Sequence, residues 1–520
     1  YIGSYWVFVN STSQGQFLGL NLCEKSNDLQ FSNDQSYAYK RIVEILSNAG
    51  IDLKRNQCSH LDNSKKNELV VIGKAGSGKT LLLAKIVSDL AEAGLEIVSG
   101  DYQLNQTSEK RSLAILAPTN KAASVIRQQG VAATTVHRII YTPIYDPEFE
   151  KIAEWLSGRQ EKPIIDGLTP DSLERVKSFF ESNKSIPGAL ASAGLRGSDF
   201  ITGWKRREDP LDVGFVDESS MLDEQQLEDL REIFSTLILF GDPAQLAPVG
   251  NSGKMVFDDL EDEKKVNLYR IHRQEHDNPI LDLAHSLADP KVTFTDFEKQ
   301  IFEISETDER VIVNESVVSD IMSRSPVLVW RNSTRVRLIN AFRIAYNAPV
   351  DELIPGEPLI CDGIELPLKH RKKRLDLEAR GLIKGAHVIF LGNGRKEGFS
   401  RLHVVGAEDP FVSAASIIKI ENNDSDEPFI PFAARMGASF LHGAAVTIHK
   451  SQGSQWPTVQ VFAPDIYTAS KTQRYESGLP LWKRLAYVAI TRAQEKLIWA
   501  TRYKLSKPIN PLTTVDLKDV

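Results

Sequence analysis

Residues 68–80 read ELVVIGKAGSGKT, an apolar run that passes directly into a glycine-rich loop. The loop, Gly73 to Thr80, matches the pattern G-x-x-x-x-G-K-[ST] at every fixed position. A helix is predicted to follow it, with Leu82, Ile86 and Leu90 on one face. A strand before such a loop and a helix after it form the context in which it binds phosphate. The stretch therefore predicts an α/β fold with a phosphate-binding loop at the end of a parallel strand.

The loop contains the groups that bind a nucleoside triphosphate. Its glycines allow backbone N–H groups to surround the phosphates, and the helix N-terminus adds a favourable dipole. Lys79 can reach the β- and γ-phosphates, and the Thr80 hydroxyl can enter the coordination shell of Mg²⁺. ATP and Mg²⁺ are the predicted cofactors, with Thr80 as one metal ligand. The ATP-binding residues predicted from the loop are Gly73, Ala75, Gly76, Ser77, Gly78, Lys79 and Thr80.

Apolar runs alternate with helical stretches along the chain, which is typical of helices packed on parallel sheets. The predicted strands are Glu68 to Ile72, Leu113 to Ala117, Val213 to Val216, Thr236 to Phe240, Val327 to Trp330, Ala444 to Ile448, Val459 to Ala463 and Lys496 to Ala500. Two regions interrupt this pattern. Residues 139–210 are more polar and helix-like, and residues 350–440 are rich in glycine, proline and short β-like segments such as HVIFLGNG. Both regions are predicted to be insertions.

The composition is that of a globular protein, with 42% hydrophobic and 25% charged residues in 520. That length predicts about three or four compact units. No apolar run approaches the roughly 18–20 residues of a membrane helix, and the N-terminus lacks a secretory-signal pattern, although the chain begins at Tyr1 and not at a methionine. The three cysteines, Cys23, Cys58 and Cys361, are far apart, which argues against a disulfide scaffold and fits a reducing cytoplasm.

The net charge of −7 disfavours binding to polyanions on average, but a basic groove can coexist with acidic outer faces. The basic runs are residues 369–374 (KHRKKR) and 205–207 (KRR), and each is interpreted as a solvated loop on charge alone. Charge therefore does not decide whether the chain binds nucleic acid.

The predicted strand Val213 to Val216 ends in two acidic residues, Asp217 and Glu218. In a phosphate-loop protein, a carboxylate on a neighbouring strand completes the metal site. Asp217 is suited to hold Mg²⁺ and Glu218 to orient or deprotonate the attacking water. An Asp-Glu pair is usually surface charge, but its position after an apolar strand favours the catalytic interpretation. Nucleoside triphosphate hydrolysis is the predicted chemistry.

Gly241 to Gly250 (GDPAQLAPVG) follows the predicted strand 236–240. Gln245 in this segment is a neutral side chain that can contact a γ-phosphate and respond to its loss. Together with the two motifs above, the segment resembles motif III of superfamily 1 helicases, in the branch with the pattern G-D-x-x-Q-L-x-P. The resemblance extends from here over almost the whole chain.

Further segments resemble the nucleic-acid and nucleotide motifs of this family. Leu116 to Ala123 (LAPTNKAA) is similar to motif Ia, Thr134 to His137 (TTVH) to motif Ib, and Val327 to Ser333 to the start of the second motor domain. Motifs Ia and Ib are also consistent with strand-to-helix caps. Gln35 matches the glutamine that contacts the adenine edge, with a helix-start residue as the alternative. The DNA-binding residues implied are Pro118, Thr119, Asn120, Thr135, His137 and Asn332.

Two arginines resemble those that approach the γ-phosphate from the second motor domain. Tyr269 to Gln274 (YRIHRQ) is similar to motif IV and Tyr487 to Ala493 (YVAITRA) to motif VI, which implies this role for Arg273 and Arg492. Arg270 is a nearby alternative to Arg273. Such a guanidinium stabilises transition-state charge and contributes about 10³- to 10⁵-fold in rate. The catalytic residues implied are Lys79, Thr80, Asp217, Glu218, Gln245, Arg273 and Arg492, with Thr80 and Asp217 as metal ligands.

Thr447 to Gly453 (TIHKSQG) resembles motif V of the RecD- and Dda-like branch. The residues implied to face DNA are Thr447, His449, Lys450 and Ser451, and those implied to approach the nucleotide are Gln452, Gly453 and Gln455. Relatives often have an acidic residue near the ribose where this chain has Gln455, which retains hydrogen bonding without the charge. Trp456 is interpreted as core packing, with base stacking as the alternative.

The resemblance implies two RecA-like, parallel-sheet, P-loop motor domains with two inserted subdomains. The implied boundaries are an N-terminal extension (1–30), motor domain 1 (31–138 and 211–265) with an insertion (139–210), and motor domain 2 (266–349 and 441–520) with an insertion (350–440). In relatives the first insertion carries a duplex-splitting pin, for which 178–180 and 200–201 are the candidates here, with buried aromatic residues as the alternative. In relatives the second insertion is a small β-barrel.

The activity implied by the resemblance is ATP-dependent DNA unwinding with 5′→3′ movement. The expected partners are single-stranded DNA and single/double-strand junctions, with no membrane, for a monomer in the cytoplasm of a bacterial or phage-infected cell. Three alternatives stay open: an RNA helicase of the same superfamily, since the residues do not test for a 2′-hydroxyl; a P-loop regulatory switch; and the motor subunit of a nuclease complex.

Overall fold

The structure is a computed structural model that describes residues 31–59, 66–98, 110–128, 130–145, 147–162, 170–183, 201–248, 254–270, 278–350, 352–365, 377, 380–405, 410–421, 429–433 and 437–512. The N-terminal extension, Arg273, Phe200 and the basic run 369–374 lie outside the described residues. Among the residues described, no helix combines the length and the apolarity needed to cross a bilayer.

The strands are β1 (Ile51–Asp52), β2 (Gln57–Cys58), β3 (Asn67–Gly73), β4 (Glu96–Ile97), β5 (Ser112–Ala117), β6 (Thr134–Thr135), β7 (Tyr141–Tyr145), β8 (Ile201–Arg206), β9 (Leu211–Val216), β10 (Phe234–Gly241), β11 (Lys265–Leu268), β12 (Val311–Asn314), β13 (Val327–Val329), β14 (Pro358–Glu365), β15 (His387–Asn393), β16 (Phe399–Val404), β17 (Phe411–Ile420), β18 (Phe429–Ala433), β19 (Gly437–His442), β20 (Ala445–Thr447), β21 (Trp456–Phe462), β22 (Tyr475–Glu476), β23 (Leu479–Pro480) and β24 (Ala493–Ala500).

The helices are α1 (Asn33–Asn48), α2 (Lys79–Glu92), α3 (Asn120–Gln128), α4 (Val136–Ile140), α5 (Pro147–Leu156), α6 (Pro170–Asn183), α7 (Glu224–Ile233), α8 (Pro279–Ser286), α9 (Phe294–Ser305), α10 (Ser319–Met322), α11 (Asn332–Ala345), α12 (Ile448–Ser451), α13 (Ala463–Lys471) and α14 (Leu481–Ile490). All eight predicted strands are found, each with bounds that differ by one or a few residues. One residue changes its type of secondary structure: Ile448, predicted as the end of a strand, is the first residue of α12.

The first sheet has the strand order β11-β3-β10-β9-β5-β4, with β6 paired to β5, and its pairs are parallel. Its central strand β10 is buried along its whole length because both faces of the sheet are covered, as expected for a parallel sheet. The carboxyl ends of parallel strands lie on the same edge. The phosphate loop after β3, Asp217 after β9 and Asp242 after β10 are therefore neighbours.

The second sheet has the order β12-β24-β21-β13-β20 and is also parallel. Motif V begins at the last residue of β20, and motif VI runs from the last turn of α14 to the first residue of β24. Two parallel sheets thus confirm the predicted α/β class with two cores. Strand β11 pairs with the phosphate-loop strand of the first sheet, so we propose that motor domain 2 begins after Leu268 and not at residue 266.

A third sheet, β16-β15-β14-β19-β17-β18, occupies most of the second predicted insertion. Strands β16 and β17 also pair, so five of its strands form a closed ring around an apolar core. Strand β19 extends to His442, two residues beyond the implied boundary at 440. The ring closes a sheet whose edges would otherwise be exposed.

Residues 141–206 belong to a compact unit separate from the rest of the chain. The helices α5 and α6 agree with the predicted helical character. The antiparallel pair β7–β8 was not predicted, because Pro143 in β7 is unusual in a strand and because residues 205–207 were interpreted as a loop. Of the pin candidates, Phe180 is buried in this unit, which confirms the alternative for that residue.

Candidate nucleotide site and DNA-facing surface

The phosphate loop has a backbone that glycine makes possible. Gly76 and Gly78 have φ angles of 80° and 77°, in the left-handed region. A Cβ on Gly73 would lie 2.3 Å from the Ser77 Oγ, so no larger residue fits there. The Ser77 hydroxyl is buried and has no hydrogen-bond partner among the described residues. A buried hydroxyl in this position is available to a ligand in the loop.

Lys79 is the first residue of α2, and its ammonium group lies over the loop. Its Nζ donates to the carbonyls of Gly73 and Lys74, the latter at 3.1 Å. Thr80 follows, half-buried in the first turn of the helix. The cation is thus held over the same loop whose amides and helix N-terminus are suited to phosphate.

The acids after β9 lie close to Gln245. The Gln245 amide donates to the Glu218 carboxylate at 2.8 Å and accepts from the Ser220 hydroxyl at 3.3 Å. Glu218 has a φ of 54°, in the left-handed region that is uncommon for a residue with a side chain. Gln245 therefore fixes the orientation of the carboxylate predicted to activate water.

The oxygen donors at this position fit a divalent cation. Burial and then the neighbouring charge of Glu218 raise the pKa of Asp217 to about 6, and the charge of Lys79 and the Glu218 N–H oppose that rise. The buried Asp217 and half-buried Glu218 carboxylates next to one lysine leave negative charge that a cation would stabilise. Oxygen ligands such as Asp217 and the Thr80 hydroxyl are those that Mg²⁺ prefers.

Arg492, from the second sheet's domain, reaches this site. Its guanidinium is buried and donates to the carbonyls of Val488 (3.0 Å) and Ser454 (3.3 Å) and to the Thr491 hydroxyl (3.1 Å). Burial lowers the pKa of Arg492, and the negative charge of Glu218 is the largest opposing effect. The arginine is thus within electrostatic range of the acid predicted to activate water.

The other predicted arginine, Arg273, lies outside the described residues. The alternative, Arg270, is exposed, and its backbone N–H donates to Asp34 at 2.7 Å. Gln35 is completely buried: its amide oxygen accepts from the Ser32 N–H at 3.0 Å, and its amide nitrogen donates to the Ser77 and Gly78 carbonyls at 3.4 Å. This geometry favours the helix-start interpretation of Gln35, and contact with adenine stays a proposal.

The residues of motif Ia and motif Ib lie at the same edge of the first sheet. The Thr119 hydroxyl accepts from the Ala122 N–H at 3.1 Å, and the Thr135 hydroxyl accepts from the Arg138 N–H at 3.4 Å. Both are therefore helix caps, which was the stated alternative. Pro118 is half-buried and His137 is exposed, whereas the side chain of Asn120 is outside the description.

The side chains in the first half of motif V differ in their exposure to solvent. Thr447 and His449 are half-buried, Lys450 is exposed, and Ser451 is completely buried with its hydroxyl donated to the Ile448 carbonyl at 2.8 Å. The Ser451 side chain is therefore closed off, and we withdraw it from the proposed DNA contacts. Burial lowers the pKa of His449, which favours the neutral imidazole.

The second half of motif V turns towards the first sheet's domain. Gln452 donates to the Leu246 carbonyl at 3.2 Å. Gly453 has a φ of 72°, and a Cβ on it would lie 3.5 Å from the Thr119 Oγ1. Gln455 is exposed and accepts from Gln494 at 3.4 Å. These contacts bring motifs V, Ia and III together, and nucleotide contact by Gln452, Gly453 and Gln455 remains a proposal.

Trp456 is 7% exposed and lies in the apolar core of the second sheet, with the His387 ring edge-on at 5.4 Å. The core-packing interpretation is confirmed.

Sequence reasoning missed a basic cluster beside Lys450. Desolvation lowers the pKa of Lys450, the nearby Arg335 and Lys384 lower it further, and Asp362 opposes them. Asn332, predicted to face DNA, is exposed and accepts from the buried Arg335 at 2.8 Å. Arg335 is buried and paired with the Glu421 carboxylate, so Lys384 and Lys450 are the exposed cations of the cluster. Arg335 and Lys384 are far from motif V in sequence and lie in no recognisable motif, so only folding reveals the cluster.

Two protein-family models match this chain. Residues 54–311 match the family model of an AAA domain, and residues 442–499 match the UvrD-like helicase C-terminal domain. Together the two matches cover more than half of the chain.

The conjugal transfer protein TraA of Agrobacterium fabrum (strain C58) is 25% identical over 340 residues, which are 60% of this chain and 28% of that protein. The uncharacterized protein MJ1519 of Methanocaldococcus jannaschii is 24% identical over 281 residues, 51% of this chain and 18% of that protein. The chain thus spans less than a third of the length of these relatives.

Two solved structures are similar over most of the chain. The Pif1 helicase from Candida albicans has a TM-score of 0.44 and 15% identity, covering 91% of this chain and 95% of that one. The Pif1 helicase from Bacteroides in complex with ADP-AlF3 and ssDNA has a TM-score of 0.44 and 14% identity, covering 91% and 93%.

Proposed function

Because the chain belongs to the superfamily 1 helicases of the RecD-like branch, we propose that it is an ATP-dependent DNA helicase that moves 5′→3′ on single strands and unwinds duplex. One observation carries the proposal. The Arg492 guanidinium lies within range of Glu218 at the nucleotide site and donates to the Ser454 carbonyl beside motif V. A single buried side chain thus links the hydrolysis site to the DNA-facing turn.

At the nucleotide site, the loop amides and Lys79 bind the phosphates. Glu218, held by Gln245, accepts a proton from the attacking water, and Arg492 stabilises the charge that develops on the γ-phosphoryl group. Mg²⁺, when bound by Thr80 and Asp217, supplies further neutralisation of phosphate charge. Loss of the γ-phosphate removes a partner of Gln245 and Arg492, so hydrolysis alters the contact between the two domains.

At the DNA-facing surface, the exposed Lys450 and Lys384 supply charge for a phosphate backbone despite the chain's net charge of −7. Helix caps such as Thr119 and Thr135 position the N-termini of α3 and α4 toward the same track. Such contacts are independent of base sequence and depend on salt. They suit a motor that moves along any single strand.

The test is unwinding of matched duplexes with a 5′ or a 3′ single-stranded tail, in ATP and Mg²⁺, with DNA and RNA tails compared. We expect unwinding of the 5′-tailed DNA substrate, and none by Lys79→Ala, which lacks the ammonium that the phosphates require. Preference for the 3′ tail would overturn the direction, and stimulation by RNA alone would favour the RNA helicase. Activity on no tailed duplex, with hydrolysis stimulated by single strands, would reduce the proposal to translocation.

A further inference from the structure

The loop that follows β10, Asp242 to Ala247, extends from the first sheet but packs into the second domain. Ala244 and Leu246 are buried in the same apolar core as Trp456 and Leu485, which belong to the second sheet and its helices. We refer to residues 242–247 as the sensor loop because they contain Gln245. Its apolar side chains therefore pack as part of the second domain's core, although the loop continues from a strand of the first sheet.

The backbone of the sensor loop is also bound by the second domain. Arg484 of α14 is 1% exposed, and its Nη1 donates to the carbonyls of Pro243, at 2.7 Å, and Gln245. The rest of its guanidinium is used by the Glu476 and Ser477 carbonyls, at 2.7 and 2.9 Å. A buried cation that donates to four carbonyls holds their relative positions rigidly.

Tyr487, one turn along α14 from Arg484, contacts both nucleotide-side loops of the first domain. Its hydroxyl donates to the Asp242 carboxylate at 2.7 Å and accepts from the Ala75 N–H at 2.7 Å. The Ala75 carbonyl accepts from His285 Nε2 at 2.9 Å, so the ring proton lies on that nitrogen. The backbone N–H and the carbonyl of Ala75, in the phosphate loop, are therefore both hydrogen-bonded to the second domain.

The same helix continues to the DNA-facing turn. α14 ends at Ile490, and Arg492, two residues on, donates to the Ser454 carbonyl next to Gly453. A contact path therefore runs from Thr119 and motif V, through Arg492 and α14, to the sensor loop and the phosphate loop. Tyr487 is the point on this path where both nucleotide-side loops meet.

We infer that Tyr487 is the positioning residue through which DNA at motif V sets the relative placement of the phosphate loop and the sensor loop, and so the rate of hydrolysis. The inference rests on the proposed function. Tyr487 does not touch the reacting atoms in this scheme. Its hydroxyl joins Ala75 and Asp242 so that Lys79 and Gln245 are brought to one γ-phosphate together.

The test is ATP hydrolysis by Tyr487→Phe with and without single-stranded DNA. The ring still fills the core, but the buried Ala75 N–H and Asp242 carboxylate each lose a partner. We expect the ratio of DNA-stimulated to unstimulated kcat to fall about tenfold. The KM for ATP, the affinity for single-stranded DNA and the nucleotide bound per chain should change less than about twofold. Tyr503→Phe is the matched control, because Tyr503 is a partly exposed tyrosine that packs on Phe462.

An unchanged stimulation ratio in Tyr487→Phe, with the wild type stimulated, would overturn this inference and leave the proposed function intact. A wild type without stimulation would overturn both. A fall in nucleotide bound per chain equal to the fall in kcat would reduce Tyr487 to a structural role. Asp242→Asn provides a second test that keeps the shape of the loop: a neutral acceptor weakens the bond to Tyr487 and should lower the same ratio by a smaller factor.

Discussion

Lys450 and Ser451 are neighbours in motif V, but only one of them is available to DNA. The Lys450 side chain is exposed within the basic cluster, whereas Ser451 is completely buried. We expect Lys450→Ala to weaken binding of single-stranded DNA about three- to tenfold at low salt and to reduce the salt slope by about 0.7. Fluorescence anisotropy across a salt series measures both quantities.

Ser451→Ala is the matched comparison, because it removes a hydroxyl that bonds only within its own helical turn. Its affinity for DNA should stay within about twofold of the wild type. A loss in Ser451→Ala as large as that in Lys450→Ala would restore Ser451 to the DNA-binding residues and contradict the geometry.

At the residue scale, the sequence predicts chemistry well where a motif dictates a backbone. Gly73, Gly76 and Gly78 are required by the loop itself, and Asp217 and Glu218 are placed by the strand before them. Hydrogen-bond partners that come from distant segments cannot be predicted in this way. The Gln245–Glu218 bond joins residues 27 apart, and the Ala75–Tyr487 bond joins residues 412 apart. No local pattern reports these pairings.

At the scale of elements, a buried network joins the closed β-ring to the second domain. Glu357, just before β14, accepts from Arg343 of α11 at 3.1 Å and from His442 at the end of β19 at 2.8 Å. His442 Nδ1 accepts from the Ala444 N–H, so Nε2 carries the proton given to Glu357. These residues lie where the chain enters and leaves the ring. The network therefore fixes the ring at both connections.

Glu357→Gln should loosen these connections. Removing the charge leaves Arg343 buried without its carboxylate, which costs about 3 kcal/mol in the local free energy of opening. Hydrogen exchange should accelerate in β14 and β19 and stay unchanged in β3. Glu315→Gln, at an exposed pair with Arg502, is the control and should alter neither region. Equal exchange in all variants would show that the network does not hold the ring.

The same network predicts a dependence on pH. Burial favours a raised pKa for Glu357, but the hydrogen bond from His442, the charge of Arg343 and the Ile354 N–H together lower it below its usual 4.5. A lowered pKa adds stability that is fully present above about pH 4.5 and is lost as the pH falls through the lower folded value. The stability difference between wild type and Glu357→Gln, measured by urea unfolding, should therefore shrink below about pH 4. A difference that grows on acidification would contradict the assigned sign.

The sequence predicts whether a segment is a helix or a strand better than it predicts where that element begins and ends. Continuous apolar runs such as Leu237 to Phe240 identify parallel strands because both faces are buried. The short strands β7 and β8 contain no such run. Pro143 in β7 and the basic residues 205–207 at the end of β8 are typical of loops, so the sequence does not predict these strands. Likewise, the ring closure through β16 and β17 depends on a pairing between segments, which periodicity alone does not specify.

At the scale of the whole molecule, the candidate hydrolysis site draws its residues from both sheets. The phosphate loop and the acids come from the first sheet, and Arg492 comes from the second. The sensor loop crosses from one to the other. In the proposed mechanism, a chain with a full phosphate loop therefore needs the second domain to hydrolyse ATP. The mechanism also predicts that binding and hydrolysis of ATP can be separated by mutation.

Arg492→Ala should therefore lower kcat by about 10³-fold or more while leaving ATP affinity within a few-fold, because the loop from Gly73 to Thr80 remains intact. Single-turnover hydrolysis and binding of a non-hydrolysable ATP analogue measure the two effects. Arg502→Ala, whose side chain is 71% exposed in a surface ion pair, is the control and should behave as the wild type. If Arg492→Ala turned over ATP normally, the second sheet would be dispensable for hydrolysis. The chain would then be better described as a regulatory switch than as a motor, because hydrolysis without an arginine from the second domain could not be coupled to movement between the two.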